Sequence, residues 1–295
     1  DLGGTKMAAA LVTADGALAG PLASVPTPAR SGPEAVLDAI ASVVDTVVSA
    51  GTHQAHGAPV AVSAVGVGSA GVVNVSTGTI VSATDAITGW TGTLVATGVR
   101  SRLIAQGYGD MPVHVENDVD AYAGGEAWLG AGRDAGSVLV VAVGTGVGGS
   151  VVINGTTVRG AHYVAGEIGH VPAPGAENEM CTCGRRGHLE AIAAGPQIHR
   201  RYLAAGGDPE VANAFEVEQR ADAGDPIASL VYRDSAIALG KVLAGVVAVL
   251  DPERVVLSGG LARAGELWWA PLRETFRAEL IDPLADVPLV RAELG

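Results

Sequence analysis

Cysteine occurs only twice in the 295 residues, as Cys181 and Cys183. Thiols two positions apart cannot form an ordinary bridge, and no others exist to build a disulfide framework. The expectation is a reducing compartment, the cytoplasm. Aromatic residues make up 4% of the chain and glycine contributes 42 positions, which describes an α/β scaffold of alanine and valine with many tight turns. Basic residues are also scarce: 18 Lys and Arg against 31 Asp and Glu leave a net charge of -13. Phosphate backbones are held by clustered cations, so the charge balance argues against a nucleic-acid partner. A small anion held by backbone amides remains compatible. No apolar run reaches the roughly 18 residues of a membrane span, and no basic leader with an apolar segment opens the chain. It therefore reads as soluble, with no membrane partner.

What the chain does contain is 48% apolar residues, enough for a substantial core at a length that suits two domains. Strands and helices alternate. "MAAALVTADG" reads as a strand running into a turn at Asp15-Gly16, and Pro33 opens a helix with Val36, Ile40, Val43, Val44, Val47 and Val48 at helical spacing. "VAVSAVGVG", "VHVEND" and "SVLVVAVG" are short β-branched runs bounded by turn residues. Ile227 to Leu250 forms a long Ala- and Val-rich helix, followed by the strand "RVVLSGG". Such interleaving predicts mostly covered sheets. The composition shifts near "ENDVDAYAGGEAW", which sets the expected division into a smaller α/β domain, 1–118, and a larger one, 119–295. Both ends read as truncated, the first because a glycine turn normally follows a strand.

Two stretches match G-x-G-x-x-G: Gly66, Gly68 and Gly71, and Gly144, Gly146 and Gly149. A dinucleotide fingerprint needs a helix directly after the glycines. Here "VVNVSTGTIV" and "SVVINGTTV" follow, and both read as hairpins. That excludes a Rossmann site. The P-loop pattern is absent too, since Gly240-Lys241 is followed by Val242. What remains is strand, glycine turn, strand, at "DLGGTK" and at "VAVGTGVGG". Glycines in such turns bring backbone N–H groups close to a phosphate.

"DLGGTK" (1–6), "ENDVDA" (116–121), "VGTGVGG" (143–149), "GEIGH" (166–170), "CTCGRRGHLE" (181–190) and "LSGG" (257–260) resemble, in order, the signatures of the ROK family, named for repressor, open reading frame, kinase. The resemblance covers nearly the whole chain. It implies the actin-like, hexokinase-like ATPase fold, with two ribonuclease-H-like domains closing over a cleft and excluding water from ATP.

By that resemblance Asp118 is the catalytic base that takes the proton of the attacking sugar hydroxyl. Asn117 fixes another hydroxyl. The residues alone also allow a helix cap at this point, ahead of "AYAGGEAW". Asp1 resembles the acid that acts through the Mg²⁺ carried by ATP, with Gly3, Gly4, Thr5 and Lys6 on the γ-phosphate side. Gly144, Thr145, Gly146, Gly148 and Gly149 match the second phosphate loop, and Gly259 and Gly260 lie near the adenosine. Gly71, Glu167, His170 and Glu190 match residues that approach the sugar.

In the family a histidine and three cysteines hold a structural zinc. His170, Cys181 and Cys183 match this set, and His188 stands where the third cysteine is expected. Imidazole is a standard zinc ligand, so the count of four is kept, although its longer arm requires the loop to shift. A clamp there would orient His170 and stiffen the loop that carries Glu190. The alternative is a surface histidine beside two reduced thiols.

The resemblance therefore implies an ATP-dependent hexose 6-kinase that binds a small sugar and ATP. "PTPA" (26–29), "SATDAITGWTGT" (82–93) and "LEAIAAG" (189–195) look most like N-acetylmannosamine kinases, with glucose, N-acetylglucosamine and mannose as alternatives. A different class within the family, a sugar-responsive repressor with a helix-turn-helix upstream, is disfavoured because the phosphate motifs are intact. The long helix 227–250 is a candidate surface for the homodimer that the family commonly forms.

Overall fold

The computed structural model describes residues 1–54 and 61–294. It divides into two compact units, Asp1–Tyr122 and Ala123–Gly295. The division falls after residue 122, inside a helix, where the composition had placed it after 118.

In the first unit β1 (Lys6–Ala9) and β2 (Ala23–Pro26) pair antiparallel, and α1 (Pro33–Gln54) follows. The expected strand from residue 7 to the turn at 15–16 is thus shorter, with a single bridge, Val12 to Leu18, beyond it. The chain continues through β3 (Val65–Ser69), the hairpin β4 (Val72–Asn74) and β5 (Thr79–Ser82), α2 (Val95–Ala105) and β6 (Val113–Asn117), which pairs parallel with β3. Val36, Leu37 and Ile40 of α1 meet Val95, Val99 and Leu103 of α2 in one buried cluster, which also takes in Leu2 and Met7 beside the first glycine turn. Burying each such side chain is worth about 1.5–3 kcal/mol. That holds the turn at the edge of a packed body.

Helix α3 (Asp118–Trp128) leaves β6 directly. The second unit then lays down β7 (Ser137–Val143), β8 (Val147–Ile153) and β9 (Thr156–Thr157) as an antiparallel meander. After the short helices α4 (Glu190–Ala193), α5 (Gly195–Ala204) and α6 (Ala214–Asp222), the long α7 (Pro226–Leu250) leads into β10 (Arg254–Ser258). Helix α8 (Glu266–Glu279) and β11 (Leu289–Arg291) complete the chain, giving a five-stranded sheet in the order β11-β10-β7-β8-β9. Strand β10 runs parallel to both β7 and β11. A meander with two parallel strands added through helical crossovers puts the C-terminal ends of β7 and β10 side by side. Both ends carry glycines.

Helix α7 is stopped and started by local chemistry. The Asp225 side chain accepts from the N–H groups of Ile227 and Ala228, with Pro226 at the first helical position, and Asp251 ends the helix in the left-handed region. Trp268 and Trp269 are 0% and 1% exposed, with their indole N–H groups donated to Ser235 Oγ and the Ala262 carbonyl. Among the described residues no helix is long and apolar enough to cross a membrane.

Candidate functional site

In the first unit the loop Leu2–Lys6 is a tight turn in which the Gly3 N–H donates to the Lys6 carbonyl at 3.0 Å. Thr27 supports it from β2's side, donating its hydroxyl to the Gly3 carbonyl at 2.7 Å. Gly4, Thr5, Thr27 and Arg30 line a cavity of about 520 Å³. Asp1, Thr5 and Lys6 are exposed.

At the end of β6 the helix cap is Asn117, whose Oδ1 accepts from the N–H groups of Val119 and Asp120 at 2.9 and 3.2 Å. Its amide nitrogen donates to the Gly71 carbonyl at 3.0 Å. Gly71 sits at φ +102°, with the Ser82 carbonyl 2.7 Å from where a Cβ would be, so the position requires glycine. Asp118 is half-buried, with Oδ1 on the N–H of Val119 at 2.9 Å. Capping falls to the asparagine, and the second carboxylate oxygen of Asp118 is left for another partner.

In the second unit the β7–β8 turn is Gly144-Thr145-Gly146, closed by the Gly144 N–H on the Gly146 carbonyl at 2.9 Å. Gly148 and Gly149 do not belong to it. They pair with Ala142 and Val141 inside β8, and a Cβ on Gly149 would stand 2.8 Å from the Gly166 carbonyl. At the end of β10, Gly259 adopts φ +87° with the Val143 carbonyl only 2.4 Å from the point a Cβ would occupy, so only glycine lets the two strand ends approach. Beside both turns opens a cavity of about 960 Å³ lined by residues that include Gly144, Thr145, Gly260, Asn213, Phe215 and Arg263. Phe215 is 65% exposed at the start of α6, whereas Phe276 is buried in the core. Sequence reasoning missed Phe215. The available signal was a phenylalanine in the otherwise polar run "NAFEVEQR".

The histidines and cysteines converge. One ligand atom each from His170, Cys181, Cys183 and His188 lie within 4.8 Å of one another. Cys181 Sγ is 3.6 Å from His170 Nδ1, and Cys183 Sγ is 3.3 Å from His188 Nδ1. With zinc bonds of about 2.3 Å to sulfur and 2.0–2.1 Å to nitrogen, a tetrahedron has sulfur–nitrogen edges of about 3.5–3.6 Å. The four donors are compatible with zinc, with His188 supplying the fourth ligand. A knuckle makes this local: the Cys181 N–H donates to the Arg185 carbonyl, and the Gly184 N–H to the Cys181 carbonyl. His170 ends a 3-10 turn, Ile168–His170, with its Nε2 3.8 Å from Glu167 Oε2. Burial pushes the Cys181 thiol above its ordinary pKa. At Cys183 burial also acts upward, but the Arg185 N–H, the neighbouring thiol and the Arg185 guanidinium outweigh it and hold the thiol low.

Glu190 opens α4. Its Oε2 accepts from the Val147 N–H at 3.1 Å, and Oε1 accepts the Thr182 hydroxyl.

Several side chains in the three sequence stretches used to choose a sugar serve packing. Trp90 is 1% exposed with its N–H on Ser69 Oγ, residues 191–194 of "EAIA" and its neighbour are buried, and Thr27 props the first turn.

The family model for ROK proteins matches residues 1–295, and the chain belongs to the ROK family. Its fold is accordingly the actin-like, hexokinase-like ATPase fold. A glucokinase of Thermotoga maritima is 34% identical over 288 residues, covering 93% of this chain and 84% of that protein. An N-acetylmannosamine kinase of Escherichia fergusonii is 33% identical over 279 residues, covering 95% and 87%. A solved ROK glucokinase from Streptomyces griseus, in complex with glucose and AMPPNP, superposes with a TM-score of 0.78 at 30% identity over 100% of this chain and 93% of that one.

Proposed function

We propose that this ATP-dependent ROK sugar kinase transfers the γ-phosphoryl group of ATP to the 6-hydroxyl of a hexose, with glucose as the acceptor. The single observation that carries the chemistry is the carboxylate of Asp118. It heads α3, is half-buried, and has one oxygen occupied by Val119 while Asn117 does the capping. In the proposed step that carboxylate accepts the 6-hydroxyl proton, the hydroxyl oxygen forms a bond to the γ-phosphorus, and the bond from that phosphorus to the β,γ-bridging oxygen breaks to release ADP. Asn117, Gly71, Glu167, His170 and Glu190 are the groups we assign to sugar hydroxyls.

On the donor side the backbone of Gly144-Thr145-Gly146 and of Gly3–Lys6 supplies N–H groups for phosphate oxygens, and Asp1 faces the Mg²⁺ that arrives with ATP. The cavity beside Gly144 and Gly260 takes the adenosine, with Phe215 against the base. Zinc on His170, Cys181, Cys183 and His188 would act as a structural clamp on the loop that carries Glu190.

Glucose is favoured because a glucokinase is among the relatives that match nearly the full chain. N-acetylmannosamine is the second reading, supported by a relative of near-equal identity. Coupled ADP-release assays on glucose, N-acetylmannosamine, N-acetylglucosamine and mannose decide between them. The expected order of kcat/KM puts glucose first. Turnover of N-acetylmannosamine without glucose would reverse the assignment. Asp118→Asn is expected to lower kcat by about 10²–10⁴-fold with the fold intact, the range for a positioned base. Unchanged turnover would remove the mechanism.

A further inference from the structure

Val147, the first residue of β8, is touched from two directions by the segments that hold the metal ligands. On one side Gly169, next to His170, lies so close that a Cβ there would stand 2.1 Å from the Val147 carbonyl oxygen. On the other, Glu190 accepts the Val147 N–H at 3.1 Å, while its second oxygen holds the Thr182 hydroxyl between the two cysteines. Cys181 Sγ itself is 3.8 Å from Glu190 Oε1. The start of the next helix, α5, adds a second contact, because the Gly195 N–H donates to the Gly144 carbonyl at 2.8 Å. Gly146 leaves room for this. A side chain there would bring its Cβ to 2.9 Å from Glu190 Oε2. The turn 144–147 is therefore fastened at Val147 to the segments beside the metal ligands and at Gly144 to the start of α5.

From these contacts we infer that Glu190 is a positioning residue for the donor-phosphate turn, and that the four-ligand cluster sets the affinity for ATP as well as for the sugar. The inference rests on the reading of 144–147 as a phosphate turn. The physical route is short. Ordering by the metal fixes His170 relative to Cys181, Cys183 and His188, and this fixes Gly169 and Thr182. These in turn hold the carbonyl and N–H of Val147, so the amides of the turn meet a phosphate already arranged. Without the clamp the turn must be ordered by the nucleotide, and binding weakens by that cost. A loop serving the acceptor alone predicts no effect on the nucleotide when sugar is absent.

The test is calorimetric titration of a non-hydrolysable ATP analogue into the zinc-loaded chain without sugar, before and after a zinc-selective chelator in excess Mg²⁺. Removal of zinc is expected to weaken analogue binding about tenfold, near 1.4 kcal/mol, in the native sequence. In Glu190→Ala analogue binding is expected to be weak from the outset and to change less than about twofold on chelation, as coupled sites in a double-mutant cycle require. A native Kd for the analogue that survives chelation overturns the inference. Should Glu190→Ala fail to fold, Thr182→Val removes only the hydroxyl on the Glu190 carboxylate. It is expected to raise the KM for ATP severalfold with zinc content unchanged, and an unaltered KM for ATP overturns the inference equally. Turnover of glucose by the zinc-loaded native chain separates the two levels. Its absence sinks the proposed function, whereas its presence with a zinc-independent nucleotide affinity sinks only this coupling.

Discussion

The side-chain amide of Asn117 joins two functions in one residue: its oxygen caps α3 and its nitrogen donates to the carbonyl of Gly71 at 3.0 Å. Asn117→Ala is expected to cost about 1 kcal/mol of stability, the usual value for a lost N-cap, and to raise the KM for sugar. Asn117→Ser restores a capping oxygen without the amide. Denaturant melts should recover most of the loss in that variant while the KM for sugar stays high.

The metal cluster makes a second expectation measurable. Elemental analysis should find about one zinc per native chain. His188→Cys is expected to keep it, since either residue supplies one donor, and Cys181→Ser to lose it. Zinc retention should fall as pH is lowered, because protons compete for thiolate and imidazole.

Phe215 is the exposed ring at the rim of the cavity we assign to the nucleotide. Stacking of a base on an aromatic side chain is worth about 1–3 kcal/mol, so Phe215→Ala is expected to raise the KM for ATP by about tenfold or more. Sugar KM should hold and kcat should stay within about twofold. Phe215→Tyr keeps the ring and should restore the KM for ATP. Equal loss in both variants would point to a packing role instead.

Acid stability offers a further check at Asp225. The Ala228 N–H, the Tyr202 hydroxyl, the Ile227 N–H and nearby Arg220 hold its carboxylate below the ordinary value of 3.8, against a smaller opposing effect of burial. A carboxylate depressed in the folded state stabilises at all pH values above its unfolded pKa, and that contribution disappears as pH falls through the folded value. Asp225→Ala should therefore cost about 1 kcal/mol near neutrality. The gap to the native chain should close below pH 3.8 in urea melts followed by circular dichroism.

Much of this was legible in the residues, and the exceptions have physical causes. The helix of 226–250 and the strands at β6, β7 and β10 followed from apolar periodicity, and the hairpins after each glycine pattern excluded a dinucleotide fold on pattern alone. Cys181, Cys183, His170 and His188 were found from spacing and resemblance, because a metal set sits on one short stretch of chain. The glycine run "VGTGVGG" was only half legible. Backbone approach to a phosphate and close strand packing select the same residue type, and the pleat of β8 assigns Gly149 to the second. Trp90 and the "EAIA" stretch do not choose between sugars by themselves, because a buried signature and a pocket signature look alike in one dimension. Phe215 had no motif around it. Its role depends on α6 lying beside the ends of β7 and β10, which periodicity does not encode.

Strands β7 and β10 end in glycine turns so close that the Gly260 nitrogen is 3.7 Å from where a Cβ on Gly144 would stand. A surface built of peptide groups offers few side chains for mutation to rewrite, and almost any change there adds bulk. A side chain at Gly259 would therefore force both strand ends apart at once.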